Sequence, residues 1–149
     1  MENLVEPISH DGLHDSLTHF PASSYFYELL MREMARAERE SKPLLLIQFN
    51  LDLNQNELSP KECEYLIINF ASALMRSSRA SDVCARIGRL QFLSLVNIGP
   101  DLLIDFLFRV KGAWRGEAYA FRYSSTAISR PESIGAILKK LNSAESILL

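Results

Sequence analysis

Pro43 is followed by Leu44 to Leu51, a short and strongly apolar run that a polar loop from Asn54 to Pro60 closes off. A run of that length bounded by turn signals is expected for a buried strand at the centre of a sheet, and the rest of the chain has to cover it. Upstream, Phe26, Leu29, Leu30, Met34 and Ala37 recur at helical spacing between charges, with Ser23 or Ser24 as the expected N-cap. Downstream, Ser59-Pro60 reads as an N-cap and first helical residue ahead of Leu66, Ile67, Phe70, Ala71 and Leu74. Two apolar segments, Val83 to Ile87 and Phe92 to Val96, flank Gly88-Arg89 and read as a hairpin turning on the glycine. A helix from Asp101 places Leu103, Phe106, Leu107 and Val110 on one face, and Ala118 to Ser124 alternates like a strand. A last helix is expected to start at Pro131, after Arg130, and to carry Ile134, Ile137, Leu138 and Leu141.

The order is helix, strand, helix, strand, strand, helix, strand, helix. Its middle matches β-α-β-β-α-β, so the expected class is α/β (α+β): a ferredoxin-like sheet with its helices on one face and further helices added. At 149 residues the chain fits one domain able to bury a core without staples. Residues 1–13, with Pro7 and Gly12, read as a flexible arm, and residues 14–149 as the domain.

Several functional classes are disfavoured. A formal net charge of -2 gives no general attraction to nucleic acid or anionic membrane. Cys63 and Cys84 lack metal-type spacing and read as reduced thiols. His10, His14 and His19 have no acidic or thiol company at ligand spacing and read as solvated arm residues. The start of the chain carries Glu2, Glu6, Asp11 and Asp15 and lacks the basic and apolar regions of a secretory signal. No segment approaches the ~18 apolar residues of a membrane span, so a cytoplasmic location without membrane insertion is expected. Trp114, Tyr119, Phe121 and Tyr123 are expected in the core or against a partner, not as a base-stacking platform. Nor does any serine, histidine and acid arrangement suggest a hydrolase.

Asp15-Ser16-Leu17-Thr18, with Pro21 and Tyr25-Phe26 in register, resembles the D-x-L-T opening of GGDEF domains, the diguanylate cyclases. Asn50-Leu51-Asp52 is similar to that family's D-x-D strand exit. Arg79-Ala80-Ser81-Asp82, five residues, then Gly88-Arg89-Leu90-Gln91-Phe92 occupies the place of R-x-x-D, five residues and the GGDEF signature. The likeness runs over roughly residues 14 to 141 and implies a bacterial signalling protein with the cyclase palm fold. It also implies chemistry in which facing domains join two GTP into cyclic di-GMP with divalent metals, whose hard cations need anionic oxygen ligands.

Against that pattern this chain is degenerate. Asn50, seven positions after Pro43, stands where the first metal aspartate is expected. Leu90 and Gln91 replace the acidic pair of the signature, and Arg89 puts a side chain where bare glycine backbone approaches phosphate. The loop after Asp52 is shortened, Cys63-Glu64 replaces a later G-D, and the stretch from Ser143 to Leu149 lacks the family's K-x-x-x-G-R-N ending. Asp52 alone reads as a turn or cap residue. The expectation is therefore no catalytic residue, no metal ligand, no cofactor and no cyclase activity.

Arg79 and Asp82 survive, and with Arg109 the resemblance implies an inhibitory-type site for cyclic di-GMP, the guanidinium gripping phosphate or base and the carboxylate accepting from guanine nitrogens. The competing reading makes Arg79 and Asp82 a surface pair that fixes the approach to the hairpin. Arg86 and Arg89 read as a solvated hairpin tip. The functional expectation is a regulatory domain, possible receptor for cyclic di-GMP. The alternative is a ligand-independent interaction or dimerisation module docking through the hairpin or the tail Ile147-Leu148-Leu149.

Overall fold

The computed structural model describes residues 10–53, 57–114, 119–128 and 132–149. Within them run α1 (Ser23–Glu40), β1 (Leu45–Asp52), α2 (Pro60–Ser77), β2 (Val83–Gly88), β3 (Gln91–Val96), a 3-10 turn (Pro100–Leu102), α3 (Leu103–Ala113), β4 (Ala120–Ala127), α4 (Ile134–Ser143) and β5 (Ile147–Leu148). The sheet order is β2-β3-β1-β4-β5, and every neighbouring pair is antiparallel. The apolar run from Leu44 is thus the middle strand, with the βαββαβ core wound around it.

Side chains alternate across β1. Leu45, Ile47, Phe49 and Leu51 enter a cluster with Ile67, Phe70 and Leu74 of α2 and Phe106, Leu107 and Val110 of α3. Leu44 and Leu46 face the other way, into a second cluster with Phe26, Leu30 and Met34 of α1 and Ile137 and Leu141 of α4. α2 and α3, the helices of the βαββαβ middle, share one face as expected, and the added α1 and α4 cover the opposite one. Leu44 and Leu46 give that opposite face its apolar start, and Gln48, Asn50 and Asp52 follow on the same face toward the strand's exit. Phe70 centres the larger cluster, its ring 5.4 Å from Phe49, 5.0 Å from Phe92, 5.1 Å from Trp114 and 5.6 Å from Phe121. The four aromatics flagged in the sequence thus divide into buried Trp114, Phe121 and Tyr123 and a half-buried Tyr119 packed against the same core.

Cap chemistry decided some helix boundaries and not others. Ser59 and Glu62 form a reciprocal capping box at α2, the hydroxyl accepting from Glu62 N–H at 3.1 Å and the carboxylate from Ser59 N–H at 3.0 Å. At α1 the N-cap is Ala22, not a serine, and it caps with no side chain. Ala22 is buried and its N–H donates to the Leu13 carbonyl at 2.7 Å, so tertiary contacts fix that boundary. The last helix starts at Ile134 with Ser133 accepting from Ala136 N–H at 3.1 Å; Pro131 and Arg130 lie outside the described residues. The hairpin turns on Arg89-Leu90. Gly88 belongs to β2, next to a register shift after Arg86, and does not adopt left-handed backbone. A bulge supplies the extra twist there in place of a special glycine torsion.

The D-x-L-T segment is a self-capped turn. Asp15 Oδ2 accepts from the Thr18 N–H at 2.8 Å and the Thr18 hydroxyl at 2.7 Å, while Arg86 Nη1 approaches the two carboxylate oxygens at 3.2 and 3.3 Å. Both partners are buried, Asp15 at 1% and Arg86 at 9% side-chain exposure. Arg86 also donates through Nε to the Arg89 carbonyl at 3.3 Å. Arg86 is therefore not part of a solvated hairpin tip; it locks the hairpin to the turn before α1. Ahead of it, His10 pairs with Asp15 and His14 with Pro21 as isolated bridges. Residues 10–13 are drawn into this turn, with Asp11 Oδ1 accepting from Leu13 and His14 N–H.

The tail expected to be a docking segment forms β5, an edge strand pairing Ile147 with Tyr123 and Leu148 with Arg122. Lys111 Nζ donates to the carbonyls of Leu149 at 2.9 Å and Tyr119 at 3.1 Å, so the tail packs on its own domain.

Candidate functional site

The topology sorts the candidate residues to two ends of the sheet. β1 and β2 run one way and β3 and β4 the other. The exit of β1, the β2–β3 hairpin and the start of β4 therefore share one end. The end of α2, the start of β2, the end of β3 and the start of α3 meet at the other.

At the hairpin end, Leu51 N–H donates to the Leu90 carbonyl at 2.8 Å, which seats the signature remnant beside β1. Asn50 pairs in register with Gln91 on β3 and with Arg122 on β4. Directly opposite residues in a ladder point to the same face, so these three side chains stand together as two amides and a guanidinium. Asp52, exposed at the end of β1, lies opposite Ala120. Leu90 is packed against the core, Phe92 is within it, and Cys63 is buried with Glu64 exposed beside it. Gly88 keeps a close approach of its own: a Cβ there would come within 2.8 Å of Gln91 Oε1. Arg122 was not singled out in the sequence. Its only signal there is its outward position between inward-facing Phe121 and Tyr123.

At the other end, Arg79 and Asp82 close a tight turn. Asp82 N–H donates to the Arg79 carbonyl at 3.0 Å, and Arg79 N–H donates to Asp82 Oδ2 at 2.8 Å. Asp82 Oδ1 accepts from the Asn97 N–H at 3.2 Å. The expected surface pair is thus a contact of Asp82 with the backbone of residue 79, and no ion pair joins the two side chains among the described residues. Arg79 is exposed. Arg109 is exposed on α3 with its guanidinium 5.6 Å from the Phe106 ring centroid, a cation–π contact within its own helix. No hydrogen bond among the described residues joins Arg109 to Arg79 or Asp82; Arg109 is the seventh of the eleven residues of α3, past the helix start that meets the turn. Asn97 carried no signal in the sequence, since its bond to Asp82 spans fifteen positions.

The described residues that match a known family are extensive. The profile described as "Diguanylate cyclase, GGDEF domain" matches residues 12–103, more than half of the chain. The chain belongs to the GGDEF family. Solved structures agree in fold. This GGDEF domain superposes on diguanylate cyclase SiaD from Pseudomonas aeruginosa, solved with its activator SiaC, with a TM-score of 0.77 at 19% identity, over 88% of this chain and 55% of that one. It therefore spans little more than half the length of SiaD. A microbial GGDEF domain solved with bis-(3′,5′)-cyclic di-GMP gives 0.79 at 16% identity and 89% coverage of both chains. The coiled coil and GGDEF domain of DgcB from Caulobacter crescentus, in complex with c-di-GMP, gives 0.76 at 17% identity, over 89% of this chain and 78% of that one. No curated protein matches the chain. No helix among the described residues is long and apolar enough to cross a membrane.

Inside this GGDEF domain Cys84 is a buried thiol whose pKa burial pushes up, despite contacts to Ser94 Oγ at 3.4 Å and Ser78 Oγ at 3.7 Å. It is a core residue, not a nucleophile.

Proposed function

We propose that this GGDEF domain does not synthesise cyclic di-GMP and acts as a regulatory module that binds it through Arg79, with Arg109 on the neighbouring helix and Asp82 holding the turn. The observation that carries the loss of synthesis is the in-register trio Asn50, Gln91 and Arg122 at the exit of the middle strand. Metals that bridge nucleotide phosphates require anionic oxygens to offset their charge. Two neutral amides and a guanidinium oppose that need, and Leu90 is turned into the core. Restoring one carboxylate leaves the cation in place.

Retention of binding is supported from the opposite end, where an exposed guanidinium stands on a turn closed by three hydrogen bonds. A planar guanidinium on a pre-formed loop suits a phosphodiester, since little ordering remains to be done on binding. Calorimetric titration of the wild type with cyclic di-GMP is expected to show binding that Arg79→Ala abolishes. No heat at high micromolar ligand would sink the receptor reading. Incubation with GTP and magnesium or manganese is expected to yield no cyclic product, and product lost on changing Asp52 would overturn the first half of the proposal.

A ligand-independent interaction module is the second reading, favoured by Ile147 and Leu148, 41% and 51% exposed on edge strand β5. Light scattering separates the two: association without nucleotide supports docking, and association that requires it supports the receptor.

A further inference from the structure

The two edges of the sheet are finished differently. On edge strand β2 a bulge beside Gly88 interrupts the ladder, and Arg86 is tied to Asp15 of the turn before α1. Bulges and inward-pointing charges both keep an edge from pairing with another chain. Edge strand β5 has neither, and Ser146 to Leu149 carries no charge and no proline. Leu149 and Phe121 exchange both backbone hydrogen bonds, the Leu149 N–H donating at 2.9 Å and the Phe121 N–H at 3.4 Å, and Leu148 stands opposite Arg122 at the next position. Backbone groups alternate along such a ladder, so Leu148 turns its N–H and carbonyl away from β4, toward the open edge.

The side chains beside that edge are apolar. Ile147 lies directly opposite Tyr123 and so shares its face, the one covered by α3. α3 connects the end of β3 to the start of β4 and therefore runs in the same direction as β5, and the Lys111 bond to the Leu149 carbonyl at 2.9 Å sets their register. Phe108, one helical turn before Lys111, is set back by about 5 Å, and Ile147, two residues before Leu149, by about 7 Å. Phe108 is 58% exposed, and Ile104, a further turn along, is 47% exposed. The charges nearby are unspent. Lys111 Nζ has two carbonyls for partners, which leaves one of an ammonium's N–H groups over, and neither Lys111 nor exposed Glu145 forms an ion pair among the described residues.

We propose that β5 pairs with β5 of a second copy of this chain, antiparallel about a two-fold axis at Ile147, so that two five-stranded sheets become one. Ser146 then lies opposite the partner's Leu148, which gives the outward N–H and carbonyl of Leu148 a partner in each copy. The two Ile147 side chains meet on the axis, flanked by the two Phe108 rings. Glu145 lies opposite the partner's Leu149, beside the partner's Lys111, and supplies the carboxylate that the ammonium lacks. Each element meets its own copy, so the contact closes at two chains. This rests on the interaction reading above and names its partner; it does not involve Arg79, which precedes β2 at the far edge of the sheet.

The test uses the whole chain without nucleotide, by sedimentation over a concentration series and by cross-linking. The wild type is expected to pass from monomer to dimer. Leu148→Pro removes an N–H that faces away from β4, and is expected to raise the dimer dissociation constant about tenfold or more while the melting curve still shows a folded protein. Glu145→Lys is expected to weaken the dimer about fivefold at low salt and to recover at high salt.

Two cysteine variants read the axis directly, since native Cys63 and Cys84 are buried. Ile147→Cys sets two thiols directly across the axis and is expected to give a disulfide-linked dimer under mild oxidant. Leu148→Cys puts them on the other face at a diagonal separation of ~7–8 Å, too wide to bridge, and is expected to stay unlinked. A dimer that tolerates Leu148→Pro, or in which Leu148→Cys links as readily as Ile147→Cys, overturns this pairing and leaves the interaction reading standing. A wild type that stays monomeric up to near-millimolar concentration overturns both.

Discussion

β2 is six residues long, so its two ends lie about 17 Å apart along one strand, and they have different chemical content. The hairpin end carries Asn50, Gln91 and Arg122 where the family resemblance calls for carboxylates, and it is held by the buried pair of Asp15 and Arg86. The turn end carries an exposed guanidinium and is held by Asp82. Because each end has its own hydrogen-bond network, residues that carry chemistry can change at one without loosening the other. Architecture at the hairpin end rests on Asp15 and Arg86, which lie outside the segment Gly88–Phe92.

The strongest way to break this contrast is at the buried pair. Asp15→Ala leaves the Arg86 guanidinium buried without its carboxylate and strips Thr18 of its acceptor, so a loss of about 3–5 kcal/mol is expected in denaturant unfolding. Adding Arg86→Met should recover part of it. A loss below about 1 kcal/mol would mean that the pair does not hold the hairpin end.

A smaller effect tests the proposed loss of metal binding. The double change Asn50→Asp with Gln91→Glu sets two like charges directly across the ladder and is expected to destabilise by about 0.2–1 kcal/mol. Millimolar manganese should raise the melting temperature of that variant and leave the wild type unmoved. An equal shift in both would show that the native face already takes a cation. At the turn end, Arg79→Ala is expected to change stability by no more than about 0.5 kcal/mol, because the residue is exposed and its hydrogen bonds to Asp82 are made by its backbone. A larger loss would make Arg79 structural.

The smallest effect is set by pH. Accepting the Ser59 N–H and hydroxyl holds the Glu62 carboxyl below its ordinary range. A depressed folded value contributes stability above the ordinary carboxylate range and loses it as pH falls through the depressed value. Glu62→Gln should therefore flatten the acid side of the stability profile slightly, more at low salt than at high. Unchanged profiles at low salt would show that the capping box does not persist in solution.

Much of the fold was legible because its signals are local. The apolar run of β1, the helical periods of α1 to α4 and the Ser59-Pro60 start of α2 each follow from neighbouring residues. The boundaries that differed, at Ala22 and Ser133, and the bulge at Gly88 depend on what packs against them. The likeness of the D-x-L-T segment and the hairpin to a known family could be seen in the sequence, but why Asp15 is there could not: its partner Arg86 lies seventy-one positions away.

The sequence by itself determined the order of elements, the apolar middle strand, the family and the absence of acids at Leu90 and Gln91, since periodicity and residue chemistry need no partner to be read. Only the tertiary structure decided that Arg86 is buried in an ion pair, that Arg122 stands opposite Asn50, and that Asp82 is bound to backbone at Arg79 and Asn97. Each of those roles depends on a neighbour that strand pairing or packing brings from a distant part of the chain, and a side chain's burial and hydrogen bonds are fixed only when that neighbour arrives.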